Sequence, residues 1–145
     1  MAIWFRDHTP GEVNFIMRET LISHLGIEIL EIGEDYLTAR MPVDSRTSQP
    51  MGILHGGASV ALAETLGSCG ANLVIDRDEY ACVGLEINAN HVRSASSGYV
   101  VGTARPLHLG KTTQVWEMLI RDEEGNLVCA SRMTNAVLKK ERREG

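Results

Sequence analysis

The stretch "HGGASVALAETLGSCGANLVI" (residues 55–75) decides how the rest of the chain is read. It is long enough for a helix of about five turns at 3.6 residues per turn. It is built almost wholly from small and apolar residues, and Glu64 is the only charge between Gly56 and Ile75. Its length matches the ~20 residues that cross a bilayer. Four glycines, two serines, Thr65, Asn72 and Glu64 argue instead for a helix buried in a water-soluble protein. A helix apolar nearly all round must be covered on most sides.

The flanking sequence supplies the cover. "TPGE" (9–12) reads as a capping box with proline at the first helical position, and Val13, Ile16, Met17 and Leu21 follow at helical spacing. This predicts one N-terminal helix that stops near Gly26. "IEILEI" (27–32) and "YLTARMPV" (36–43) are strand-like, with Leu37, Ala39, Met41 and Val43 on one face. A polar loop, "DSRTSQPMG" (44–52), enters the long helix. After "DRDEY" (76–80), four strand runs follow. "CVGLEINANHVR" (82–93) sets Val83, Leu85, Ile87 and Ala89 on one face, and "YVVGTARPLHL", "TTQVWEMLIRD" and "LVCASRMTNAVL" complete the set. The order is α-β-β-α-β-β-β-β, with short connections that imply antiparallel pairing. The predicted class is α+β: a curved, six-stranded antiparallel sheet wrapped around one long helix. Its free edges make association with a second copy plausible.

Bulk properties fit one domain of 145 residues, with a short charged tail at 139–145. Apolar residues make up 43% and charged residues 23%, ordinary for a globular protein. A net charge of −5 argues against a nucleic-acid partner. Cys69, Cys82 and Cys129 form no CxxC pair, so neither a zinc site nor a disulfide framework is expected. "MAIWFRDHTP" (1–10) has no signal-peptide apolar run, and the expected compartment is the cytoplasm.

Residues 57, 60, 61, 64, 67, 68 and 71 share one stripe of the helix, and most are small. Gly67 and Gly70 each cost about 1 kcal/mol relative to alanine, a cost that close approach by a partner subunit or a ligand offsets. Glu64 has two readings: an ion pair with a buried arginine, or a carboxylate in a water-poor site made more basic and more nucleophilic by desolvation. Ser68, one turn on, reaches Glu64, a water or its own helix backbone. At the helix entry, the unpaired amides of "HGG" and the helix dipole favour a developing oxyanion, and Gly56 and Gly57 leave the approach open. Gln49 in the preceding loop is a further donor. The carboxylate two turns downstream completes an acyl-transfer pair.

Three segments, "MPVDSRTSQPMGILHGGASVALAETLGS", "VGLEINANHVRSA" and "PLHLGKTTQVW", resemble the hotdog-fold acyl-CoA thioesterases. The branch they are most similar to includes dihydroxynaphthoyl-CoA thioesterases and the carrier-protein proofreading thioesterase of enterobactin synthesis. The resemblance runs from about residue 21 to 138, and its specific part is the combination Q-x(5)-HGG-x(6)-E-x(3)-S. It implies a hotdog fold, a homodimer with active sites at the interface, and a homotetramer. It implies hydrolysis of acyl-CoA thioesters, aryl ones above all, with no metal and no cofactor beyond the CoA of the substrate. By position, Glu64 matches the catalytic carboxylate, as nucleophile or general base. Gly56 matches the backbone donor to the thioester carbonyl, Gln49 and His55 the groups that orient it, and Ser68 the hydroxyl that supports the carboxylate. The resemblance lays the CoA arm over Gly84, His91, Val92, Arg93 and Ser94, and over His108, Leu109, Gly110 and Lys111. Arg93 and Lys111 suit the phosphates.

His8 and His24 match nothing and are expected at the surface. The loop "IDRDEYAC" (75–82) is about one residue longer than the family pattern, and the tail after Leu138 runs on by seven residues. Met17, Met51, Val60 and Leu62 are the expected pocket lining. Weighed against CoA-ester hydrolysis are action on an acyl or aryl carrier protein, an enoyl-CoA hydratase and an acyl-CoA-binding module. Membrane and nucleic-acid partners are not expected.

Overall fold

The computed structural model describes residues 1–141. Two short helices, α1 (Pro10–Met17) and α2 (Leu21–His24), lead into β1 (Glu28–Ile32) and β2 (Leu37–Pro42). The long helix α3 (Gly56–Val74) follows, then β3 (Tyr80–His91), β4 (Tyr99–Leu109), β5 (Thr113–Arg121) and β6 (Leu127–Lys139). All neighbours in the sheet are antiparallel, in the order β1-β2-β4-β5-β6-β3, and α3 packs against β2 through β6. This is the hotdog arrangement expected from the sequence.

Local chemistry explains the boundaries. Thr9 and Glu12 form the predicted capping box, with Pro10 at the start of α1. The single N-terminal helix predicted is broken in two, however. Glu19 adopts φ +59°, and Thr20 begins a new turn by accepting from the Ile22 amide and donating to the Met17 carbonyl. Periodicity alone ran through this break because Leu21 lies in phase with Met17. Gly26 ends the segment at φ +73°, where a Cβ would lie 2.9 Å from Pro42. In β2 the alternation holds: Leu37, Ala39 and Met41 are fully buried and Val43 is 7% exposed.

The predicted face of β3 requires correction. The register shifts between Gly84 and Glu86, so Cys82 and Gly84 face inward before the bulge and Ile87 and Ala89 after it. Val83 and Leu85, predicted to share the face of Ile87, are instead 45% and 63% exposed. A bulge changes the parity of a strand, and no local signal marks it. The tail is shorter than expected, because Lys139 still pairs with Tyr80 in the sheet. The remainder of that tail from residue 142 lies outside the described residues.

The glycines of α3 have a different cause from the one expected. A Cβ at Gly70 would lie 2.8 Å from the Trp116 ring, and one at Gly67 would lie 2.9 Å from Met133 Sδ. Both glycines let α3 settle onto its own sheet. The small-residue stripe is therefore split: Gly67 and Ala71 face the sheet, whereas Ala61, Glu64 and Ser68 face a groove.

Candidate active site

Helix α3 begins at His55, which caps it by accepting the Gly57 N–H at Nδ1, 2.8 Å away. That contact makes Nδ1 the unprotonated nitrogen and leaves Nε2–H as a donor. Among the described residues the Gly56 N–H makes no hydrogen bond, so of the two glycine amides it alone is free at the positive end of the helix. The His91 ring, at the end of β3, lies beside it: a Cβ on Gly56 would be 3.0 Å from Nε2. Gln49 sits half-buried in the loop that turns back toward the helix, and its Oε1 accepts from the Met51 amide. Its side-chain NH₂ is the end left to donate. Gly56, His55, His91 and Gln49 are thus grouped at one end of the helix.

Glu64 is exposed in the isolated chain, not enclosed as expected, and has neither an ion pair nor a hydrogen bond among the described residues. No arginine among the described residues pairs with it, so the expected Glu–Arg pair is not found there. Its carboxylate stands over Gly84 of β3, where a Cβ would lie 3.3 Å from Oε1. Ser68 is half-buried one turn on and makes no hydrogen bond to Glu64. Further along the same face, Asn72 ties α3 to β3: its Oδ1 accepts from the Cys82 N–H at 3.2 Å.

The amide end and the carboxylate are not assembled within one chain. Gly56 and Glu64 are eight residues apart, ~12 Å at 1.5 Å per residue, so both cannot touch one thioester carbon. The two segments expected to hold CoA are also separated. His91 pairs with Cys129 and Val92 bonds to Val128, at one end of β3. The turn after Leu109 leads to Thr112, whose carbonyl accepts from Val137, and Val137 pairs with Cys82 at the other end. Nine residues of strand between Cys82 and His91 span ~30 Å.

Within these segments, Val92, Arg93, Ser94, His108, Leu109 and Lys111 are exposed, and Gly110 is half-buried, with its N–H donating to Thr113. Arg93 is 3.9 Å from Asp122, a partly exposed pair of the kind that contributes little. The backbone N–H of Asn126, more than Arg93, holds the Asp122 carboxyl below its ordinary pKa.

A groove of about 1130 Å³ runs along α3 from Glu64 and Ser68 toward Asn72. Its other wall is α1 and α2, through Phe15, Ile16, Met17 and Leu21. Of the four lining residues expected, only Met17 belongs to it, and Leu62 is fully buried in the core. Phe15 was not singled out, because it lies off the periodic face that packs on the core. His8, expected at the surface, is half-buried with Arg6 and Arg77 at the far end of the groove. Burial, then the charges of Arg6 and Arg77, lower its pKa against the opposing pull of Glu12 and Asp7. Among the described residues no cluster of three or more His, Cys, Asp or Glu could hold a metal ion. No helix among them is long and apolar enough to cross a membrane.

A profile described as Thioesterase superfamily matches residues 51–129, from the entry to α3 through the start of β6. The chain is 52% identical over 136 residues to the 1,4-dihydroxy-2-naphthoyl-CoA hydrolase of Escherichia coli, covering 94% of this chain and 99% of that protein. It is 52% identical to the proofreading thioesterase EntH of Cronobacter turicensis, covering 94% and 98%. The crystal structure of thioesterase HI1161 from Haemophilus influenzae superimposes with a TM-score of 0.94 at 46% identity, over 99% of each chain. A mutant of thioesterase PA1618 from Pseudomonas aeruginosa also superimposes at 0.94, with 44% identity over 96% of this chain and 100% of the other. By sequence along most of its length, and by fold, this chain belongs to the thioesterase superfamily and is a thioester hydrolase.

Proposed function

We propose that the chain hydrolyses acyl-CoA thioesters, with aryl acyl groups of the dihydroxynaphthoyl type as its substrates, in the cytoplasm. The observation that carries this reading is a carboxylate, Glu64, that lines an apolar groove with no ion pair or hydrogen bond among the described residues, in a fold whose Gly56 helix-terminal amide is likewise without a partner among them. The Gly56 N–H and the His55 Nε2–H polarise the thioester carbonyl, Gln49 orients it, and His91 lines the approach. Glu64 attacks the carbonyl, giving a mixed anhydride that water then hydrolyses, or takes a proton from a water that attacks the carbonyl instead, and Ser68 steadies it. CoA leaves as a thiolate, a good leaving group, so the step invokes no metal or cofactor. Phe15 and the aliphatic wall of α1 and α2 suit a planar ring system.

The working unit is a homodimer formed along β3, and two such dimers pair as a tetramer. β3 is an edge strand carrying exposed Val83 and Leu85. Two-fold antiparallel pairing of this edge joins opposite ends of the strand. It would unite one chain's residues 91–94 with the partner's turn 108–111, so that Arg93 and Lys111 can serve one CoA, with Gly84 between them. The ~12 Å between Gly56 and Glu64 calls for the same arrangement: Gly56, Gln49, His55 and His91 act with the partner's Glu64 and Ser68. A carrier-protein thioester is the second reading, favoured by the proofreading relative at the same 52% identity. The pantetheine arm is common to both.

The test is a kcat/KM ranking over aryl and aliphatic acyl-CoAs and a matched aryl-carrier-protein thioester, for the wild type and Glu64→Ala. The expected result is preference for aryl-CoA and near-complete loss of turnover in Glu64→Ala with CoA-ester binding retained. Normal hydrolysis by Glu64→Ala would falsify the assignment. Preference for the carrier thioester would move it to the second reading.

A further inference from the structure

The far end of the groove carries charge that hydrolysis at Glu64 does not use. The N-terminal segment crosses the end of α3 there: the Phe5 N–H donates to the Leu73 carbonyl at 3.0 Å, and Thr9 caps α1. Arg6 and His8 lie between these two anchors and line the groove. Arg77 lines it from the loop after α3, where the Glu79 and Tyr80 N–H groups donate to the Asp76 carbonyl and hold the turn. His8, which matches nothing in the family pattern, thus meets the loop that is about one residue longer than that pattern. The charge of Arg77 acts on the Cys69 thiol, and those of Arg6 and Arg77 act on His8, so both guanidiniums bear on groove-lining side chains. Neither arginine forms an ion pair among the described residues. Besides Glu64, Glu12 is the one carboxylate of the groove wall, and its Oε2 accepts from the Thr9 N–H. Asp76 and Asp78 line a separate, smaller hollow that shares Arg6, His8 and Arg77 and also includes Lys140. Asp7 lines neither.

Leu73 lies nine residues beyond Glu64 on α3, ~13 Å at 1.5 Å per residue. The groove volume of about 1130 Å³ exceeds the ~300–1,000 Å³ of an ordinary small-molecule pocket. A single aromatic ring seated beside Glu64 leaves the far end empty. Two guanidiniums without partners at the end of a mainly apolar groove favour an anion, and each offers paired N–H donors to a carboxylate. Resting on the reading of Glu64 as the reacting group, we infer that Arg6 and Arg77 form an anion subsite for the end of the acyl group remote from the thioester. The substrates it selects are two-ring aryl acyl groups that carry a carboxylate at that end. His8, half-buried beside the arginines, offers a ring N–H to the same group. Glu12 opposes the subsite as a like charge to the incoming carboxylate.

The test compares hydrolysis of biphenylcarbonyl-CoA with that of its counterpart carrying a carboxylate at the para position of the outer ring. The quantity read is the ratio of their kcat/KM values. The wild type should prefer the carboxylate about tenfold, the scale of one charged hydrogen bond. The preference should lie in KM, because a contact remote from the reacting carbon is equal in ground and transition states. Arg6→Gln and Arg77→Gln should each lower the ratio roughly threefold, and the double variant should bring it to about one. Glu12→Gln keeps a side chain suited to the capping box and should raise the ratio, a gain that loss of packing does not produce. Reversing both charges, with Arg6→Glu and Arg77→Glu together, should turn the preference toward a counterpart bearing an aminomethyl group in place of the carboxylate. A wild-type ratio near or below one overturns the inference, and so does a ratio that the double Gln variant leaves unchanged. Glu64→Ala distinguishes the two failures. If Glu64→Ala cannot hydrolyse biphenylcarbonyl-CoA while the wild-type ratio is near one, only the subsite falls. If Glu64→Ala hydrolyses it as the wild type does, the reading beneath it falls.

Discussion

His55 carries two duties on separate nitrogens. Nδ1 holds the Gly57 amide, and that contact spends one of the amides expected to form the oxyanion site. The proposed oxyanion site is thereby narrowed to Gly56, whose N–H makes no hydrogen bond among the described residues. His55→Asn keeps an acceptor suited to the cap and loses the Nε2–H, whereas His55→Ala loses both. Urea unfolding should show His55→Ala less stable by about 1 kcal/mol and His55→Asn close to the wild type, while both lose turnover. His8 is a second residue whose surroundings matter more than its spacing. Its folded pKa is lowered below 6.5, so the unfolded chain binds a proton before the folded one does. Stability should therefore decline as pH falls through 6.5 and stop declining below the folded pKa. His8→Gln should flatten that part of the curve in urea unfolding measured from pH 7.5 downward.

At the scale of elements, α3 shows how a run of small residues serves two surfaces. Glu64 and Ser68 line the groove while Gly67 and Gly70 lie against the sheet. The two glycines should respond differently to alanine. At position 70 the added Cβ meets the rigid indole of Trp116 and also Leu37 Cδ2 at 3.1 Å; at 67 it meets the sulfurs of two methionines, which can swing aside. Both substitutions gain about 1 kcal/mol of helix propensity. Overpacking of about 1–3 kcal/mol should leave Gly70→Ala less stable than the wild type and Gly67→Ala near neutral, as read by thermal melts at fixed protein concentration. Burial also governs the thiols: it pushes Cys69 up to about 12 and Cys82 up to about 11, so both remain protonated and inert at neutral pH.

At the scale of the whole molecule, the edge strand β3 is the element with the most consequence. Leu85 is exposed on it and is the extra residue of its bulge. If two chains pair along β3 as proposed, Leu85→Lys should sediment as a monomer and lose hydrolysis, with the fold retained by circular dichroism. A monomer that keeps full activity would end the shared-site reading. A complementary check mixes two inactive variants, Glu64→Ala and Gln49→Ala. If one site draws Gln49 and Glu64 from different chains, mixed dimers carry one intact site, and an equal mixture recovers about a quarter of wild-type activity.

The helix 56–74, the order of the elements and the inward face of β2 were legible from sequence, because helical and strand periodicities and end caps are local properties. The exposed carboxylate proposed to react, Glu64, and the helix-terminal amide were legible as well, since a lone charge and an HGG entry stand out in a small-residue run. Only the tertiary structure decided which surface each glycine of α3 meets, because that depends on which side chain arrives from a distant strand. It also decided the bulge that exposes Leu85 and the break at Glu19, each the resolution of pairing and packing against neighbours rather than a preference of the residues themselves.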